Sequence, residues 1–158
     1  MIPEIIESNK KLVEKYPFLA PKKYDHDYYD KTGKDRYVIP DNYNYEWTWL
    51  DGIPDGWVEA FGEQMCQEIK DELIRCNFLD NYEVIQTKEK YGMLRWYDCG
   101  IPAECNVHDI IAKYEDLSEV TCCVCGKPAT KISSGWICPY CDNCAKEHGG
   151  IFHDINHF

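Results

Sequence analysis

Four cysteines, Cys122, Cys125, Cys141 and Cys144, form two Cys-x2-Cys units separated by fifteen residues. A turn of this kind aims two sulfurs at one ion, and two such turns facing each other complete a tetrahedral thiolate shell for Zn²⁺. Gly126 follows the first pair and Gly135 lies between the pairs, where tight backbone turns are expected. Cys123 and Cys138 are competing sulfurs, since Cys138-x2-Cys141 is also a possible pair. The shell is assigned to 122, 125, 141 and 144 because that set gives two knuckles with the longer, ribbon-like separation. Catalytic zinc keeps one position open for water or substrate, and four thiolates leave none, so one structural ion is expected. The chain holds ten cysteines. A disulfide framework receives little weight, because the first residues carry acids where a secretory signal carries positive charge and an apolar run. Cys66, Cys76, Cys99 and Cys105 receive no role.

Other chemistry-bearing groups are weaker. Lys88, Lys90 and Arg95 lie near Tyr91, Trp96 and Tyr97, a set able to stack a base or hold a phosphate. A strand pair with its charges turned to solvent explains them better. His148, His153 and His157 crowd the tail beside Asp154, where a loosely packed terminus outweighs a second metal site. A His-Asn-His nuclease carries its catalytic segment between paired knuckles, and 126–140 contains no His. Zinc deaminases use Cys- or His-x-Glu with Pro-Cys-x-x-Cys. Cys66-Gln-Glu68 and Cys141-x2-Cys144 match in part, but Tyr140 separates Pro139 from Cys141, and Cys122 and Cys125 are left without a role. Ser133 and Ser134 lack a nearby His–Asp pair, and no Gly-rich phosphate loop is present.

These side chains sit in 158 residues with 17 Lys plus Arg against 28 Asp plus Glu, a formal charge of -11. Most of the acidity lies in 56–118. No segment offers the basic face that releases counterions from a phosphate backbone, so direct nucleic-acid binding is disfavoured. No apolar run is long enough to span a membrane. A cytoplasmic protein is expected.

Positioning the cysteines falls to a short list of elements. Ile5, Ile6, Leu12, Val13 and Tyr16 predict a helix over 3–15. Residues 17–55, with four prolines, read mostly as loop, although Tyr43, Tyr45, Trp47 and Trp49 alternate with polar neighbours as in a strand or an extended aromatic arm. Trp57, Phe61, Met65, Ile69 and Leu73 predict the longest helix, about 56–77, with Asp55 as its cap. The face formed by Trp57, Phe61, Met65 and Ile69 is expected to be buried against a hairpin made of 82–88 and 93–97. A further helix over about 106–117 starts at Asn106 and carries Val107, Ile110, Ile111, Tyr114 and Leu117 on one face. The expected fold class is α+β, helices on a small antiparallel sheet: a body over 1–118, then a zinc-ribbon-like module and tail over 119–158.

Across most of the chain, Tyr16-Pro-Phe-Leu19, Pro54-Asp-Gly-Trp57, Lys88-Glu-Lys-Tyr-Gly-Met-Leu-Arg-Trp-Tyr97 and Thr121-Cys-Cys-Val-Cys-Gly-Lys-Pro-Ala129 with Gly135-Trp136 and Cys141-x2-Cys144 resemble an uncharacterised family of small proteins from bacterial genomes and their phages. In that pattern the fourth ligand is His or Cys, here Cys144, and the position of Cys138 is not usually Cys. The resemblance implies a mobile-element origin and a zinc-ribbon-like end, and it brings no activity. The expected function is therefore a non-enzymatic, acidic, zinc-binding interaction protein acting on another protein in a bacterial cytoplasm. Its sharper form is an anti-CRISPR-like inhibitor that occupies the nucleic-acid channel of a host defence nuclease. The alternatives are a zinc-dependent enzyme acting on nucleic acids and a zinc-ribbon regulatory adaptor.

Overall fold

The computed structural model describes residues 2–155. Helix α1 (Ile2–Lys15) forms where its apolar spacing places it, with Val13 buried and Leu12 packed on the core. Pro17 opens a 3₁₀ turn, Pro17–Leu19, that drives Phe18 and Leu19 fully into the interior.

Residues 17–55 hold more regular structure than expected. Strand β1 (Lys23–Tyr24) pairs antiparallel with β2 (Tyr37–Val38), and α2 (His26–Thr32) lies between them. No residue of α2 is buried, so it leaves no apolar periodicity. Caps hold it instead: the Asp25 carboxylate accepts from the Tyr28 N–H at 3.0 Å, and Gly33 closes the helix at φ +70°. The stretch 43–49 is not a strand. Its rings stack tilted or edge-on in sequence, with Tyr43–Tyr45 at 4.5 Å and Trp47–Trp49 at 5.0 Å, and Asn9 Nδ2 of α1 donates to the Tyr45 carbonyl.

The longest helix runs without a break as α3 (Asp55–Trp57), a π-helical turn (Val58–Gly62) and α4 (Glu63–Arg75). Pro54, not Asp55, occupies the cap position, and Asp55 is the first helical residue. The π turn has a cause in the sequence. Residues four apart drift by about 40° on a regular α-helix, and the buried positions 57, 61, 65, 69 and 73 are all four apart. One wider turn opposes that drift and keeps Trp57 and Phe61 above Met65.

Strands β3 (Val84–Lys90) and β4 (Met93–Asp98) form the expected hairpin, closed by Tyr91-Gly92 between the paired Lys90 and Met93. Helix α5 (Val107–Ser118) packs on α4 on one side and on β4 on the other. The face expected to be buried is buried: Trp57, Phe61, Met65 and Ile69 share one core with Val84, Leu94 and Trp96 of the hairpin, and Phe61 also lies 5.4 Å from the Tyr114 ring of α5.

Beyond α5, strands β5 (Lys131–Ser133), β6 (Pro139–Tyr140) and β7 (Phe152–Asp154) make a sheet of order β6-β5-β7, with α6 (Asp142–His148) after β6. Within the described residues the tail is therefore packed. Its β7 pairs with β5, and Phe152 meets Tyr140 edge-on at 5.2 Å. The architecture is α+β, mixed helix and small antiparallel sheets. One continuous core runs from Val13 to Ala145, and Cys123, Cys138 and Tyr140 of the last segment belong to it.

Candidate metal centre

Each half of the cysteine cluster is built locally. Thr121 and Pro128 bridge the base of the first turn, Gly126 N–H donates to the Cys122 carbonyl at 3.0 Å, and Cys122 N–H donates to the Lys127 carbonyl at 2.8 Å. Gly126 adopts φ +82°, which lets the chain turn back under the sulfurs. The second half is the start of α6: Cys141 is its cap, and its sulfur accepts from the Cys144 N–H at 3.4 Å.

The two halves bring Sγ of Cys122, Cys125, Cys141 and Cys144 within 4.8 Å of one another, with Cys125 and Cys141 at 3.6 Å. A tetrahedron with metal–sulfur arms of ~2.3 Å has edges of ~3.8 Å, so these four sulfurs fit one tetrahedral ion. All four donors are thiols, which leaves no open position. Burial opposes the Cys122 thiolate, yet backbone hydrogen bonds from Cys125, Cys141 and Val124 outweigh it and bring the thiol down to about 7. Cys144 is pushed up, first by burial and then by sharing protons with the thiols of Cys141, Cys125 and Cys122.

Cys123 and Cys138 stay outside the group. They turn into the core, hydrogen-bonded to each other, which raises Cys138 and lowers Cys123. The alternation is physical: in Cys122-Cys-Val-Cys125 the flanking sulfurs face the ion site, while Cys123 faces the body and its N–H donates to the Pro139 carbonyl at 3.0 Å. The first turn also locks onto the long helix. Gly56 N–H donates to the Cys123 carbonyl at 3.0 Å, and Trp57 Nε1 donates to the Thr121 carbonyl at 2.9 Å.

Two cysteines behave otherwise than expected. Cys76 and Cys105 form a disulfide across 29 residues, tying the end of α4 to the loop before α5. The small weight given to disulfides is thus corrected for this pair. Glu72, next to that bridge, accepts from Arg75 Nε and Nη2 at 2.6 Å and from the Asn106 N–H at 2.6 Å. Of the tail histidines, His148 packs on the Tyr140 ring at 5.2 Å, His153 sits in β7, and neither joins a metal-binding group among the described residues. His157 lies outside the described residues.

One arrangement carries no sequence signal. Nε2 of His108 lies 3.0 Å from Asp98 Oδ2, and the same carboxylate accepts from Tyr82 Oη at 2.8 Å and from the Gly100 N–H at 2.9 Å. Trp96 Nε1 donates to Tyr82 Oη in turn. The imidazole borders a cleft of about 360 Å³ with Glu115, whose carboxyl burial pushes up. No serine, threonine or cysteine lines that cleft.

No family model, no curated protein and no solved structure matches the chain.

Proposed function

We propose that the chain is a non-enzymatic, acidic interaction protein in which one structural Zn²⁺ fixes the C-terminal segment against the helical body, and that it acts by binding another protein. The closed four-thiolate geometry carries this reading, because an ion enclosed by four sulfurs can organise backbone but has no position for substrate. Zinc suits such a shell through its tetrahedral preference and its affinity for thiolate. A charge of -11 favours a partner with a basic surface and speeds encounter with it at low salt. The narrower form is a phage-derived, anti-CRISPR-like inhibitor that occupies the nucleic-acid channel of a host defence effector. It draws on the charge and on the sequence resemblance. A bacterial cytoplasmic location belongs to it, where reducing systems keep most thiols reduced.

The test is affinity capture of partners from a bacterial host at low and at high salt, using the zinc-loaded protein. Recovery of a basic, nucleic-acid-binding protein whose retention falls with salt supports the reading. Recovery of nucleic acid alone, or of nothing while the bait stays folded, overturns it.

A further inference from the structure

We infer that the slot between the hairpin tip and the 133–138 loop is a binding site for an arginine side chain presented by a basic partner protein. The slot has a volume of about 210 Å³ and is lined by Glu89, Lys90, Tyr91, Gly135, Trp136 and Ile137. That is below the size of pockets that enclose whole cofactors or drug-sized ligands, roughly 300–1,000 Å³, and suits one inserted side chain.

Two rings define it. Tyr91 is 73% exposed and Trp136 is 79% exposed, the most exposed aromatics among the described residues. Core packing therefore explains neither. Turn geometry does not explain Tyr91 either: it sits at φ +54° in a two-residue hairpin turn where Asn, Asp or Gly is favoured. A bulky residue held in a left-handed conformation with its ring in solvent marks a position kept for something other than folding.

The rings are held in place. Trp136 Nε1 donates to Glu89 Oε1 at 2.9 Å, and Gly92 N–H donates to Glu89 Oε2 at 2.8 Å. Ser133 Oγ bonds the Trp136 carbonyl and accepts from the Cys138 N–H at 2.9 Å, closing the loop from within. Gly92 lies against Ile137, where a Cβ would come 3.4 Å from Cγ2, so the two tips are in contact. The Cys138 thiol also bonds this carboxylate, so three donors hold it and one of its four lone-pair positions is left for a further donor. The result is an anchored carboxylate beside two open aromatic faces.

That chemistry selects a cation. Ring faces attract cations, and arginine is the commoner partner because its planar guanidinium stacks while its N–H fork meets a carboxylate. The slot already shows the preference internally, with Lys90 Nζ 5.8 Å from the Tyr91 ring centroid. The slot lining itself carries one charge of each sign, Glu89 and Lys90, while the whole-chain charge of -11 favours the long-range approach of a basic segment over that of the other class able to stack on these rings, a single-stranded nucleic acid. The site deepens the proposed binding role by naming what the partner inserts.

The test titrates nona-arginine, nona-lysine and an oligothymidylate against the zinc-loaded protein at physiological salt, with Trp136→Ala, Tyr91→Ala and Tyr91→Asn alongside. Nona-arginine is expected to bind more tightly than nona-lysine, and each variant to lose at least tenfold for nona-arginine. Tyr91→Asn should also melt at a higher temperature than the wild type, since Asn accepts the left-handed turn. Equal binding of the two peptides, binding unaffected by all three variants, or Trp136-dependent binding of the oligothymidylate alone overturns the inference, as does a lower melting temperature for Tyr91→Asn. The titration needs no host partner, so failed capture leaves this site standing, and failed titration leaves the broader binding role standing.

Discussion

Gly56 and Gly126 meet backbone to backbone: a Cβ on Gly126 would lie 2.6 Å from the Gly56 carbonyl oxygen, and one on Gly56 would lie 2.2 Å from the Cys122 carbonyl oxygen. The start of the long helix and the first cysteine turn are therefore a single packed unit. Gly56→Ala has no room on either side and forces the two apart, at a cost of roughly 1–3 kcal/mol or more. We expect a lower denaturation midpoint together with weaker zinc retention against a chelator. Gly135→Ala is the control: nothing lies within 4 Å of its Cβ, and its φ of +81° should cost about 1–2 kcal/mol without loosening zinc.

Phe61 tests the helix-on-helix core. It is buried beside Tyr114, and Phe61→Ala empties space where α5 meets the π turn. The expected loss is ~3–5 kcal/mol in urea denaturation. A loss under about 1 kcal/mol would contradict the assigned packing.

The Cys76–Cys105 bridge closes a loop of 29 residues that includes the whole hairpin. By loop-closure entropy it contributes roughly 3–4 kcal/mol through the unfolded chain. Cys76→Ser should lower the melting temperature with zinc content unchanged, read from parallel melts and metal analysis. Treatment of the wild type with a phosphine reductant should reproduce that drop, and an identical melt with and without reductant would mean the bridge does not form in solution.

Glu72 stands beside the bridge and gives a pH signature. Its hydrogen bonds from Arg75, and then the one from the Asn106 N–H, hold its carboxyl down from 4.5 to about 2. A depressed carboxyl stabilises the fold above its unfolded value, and this contribution is lost as pH falls from about 4.5 to about 2. Glu72→Gln should therefore flatten the acid limb of the stability–pH curve across that window and leave its shape near neutral pH unchanged.

Sequence periodicity marks α1, the long helix, the hairpin and α5 because each buries one face at a regular interval, and position 61 is legible for that reason. It misses α2, whose seven residues bury nothing and rest on Asp25 and Gly33, cap residues that also serve ordinary loops. The paired Cys-x-x-Cys units are legible because the ligand geometry is local to each turn. Cys76–Cys105 and Asp98–His108 are not, since the fold alone brings those partners together. Strand β7 belongs to the same class: three residues give no period, and its pairing with β5 exists only once α6 has reversed the chain.

The metal itself gives the last prediction. Purified protein should carry one equivalent of zinc, held by Cys122, Cys125, Cys141 and Cys144. Binding energy at such a site is folding energy for the segment around it, and protons compete with the ion for each thiolate, so zinc should leave on acidification. Cys141→Ser removes a thiolate donor while its hydroxyl can still cap α6, leaving three thiols around a gap, and should release the ion. Cys138→Ser removes a sulfur that faces Cys123 in the core and should keep one equivalent, with a modest loss of stability. Because Trp57 Nε1 and Gly56 N–H donate into the first turn, loss of zinc should also speed amide exchange at the start of the long helix. Metal analysis and hydrogen exchange on the wild type and both variants decide the matter. Absence of zinc from the wild type, or equal loss from both variants, would show that these four sulfurs are not the ligands.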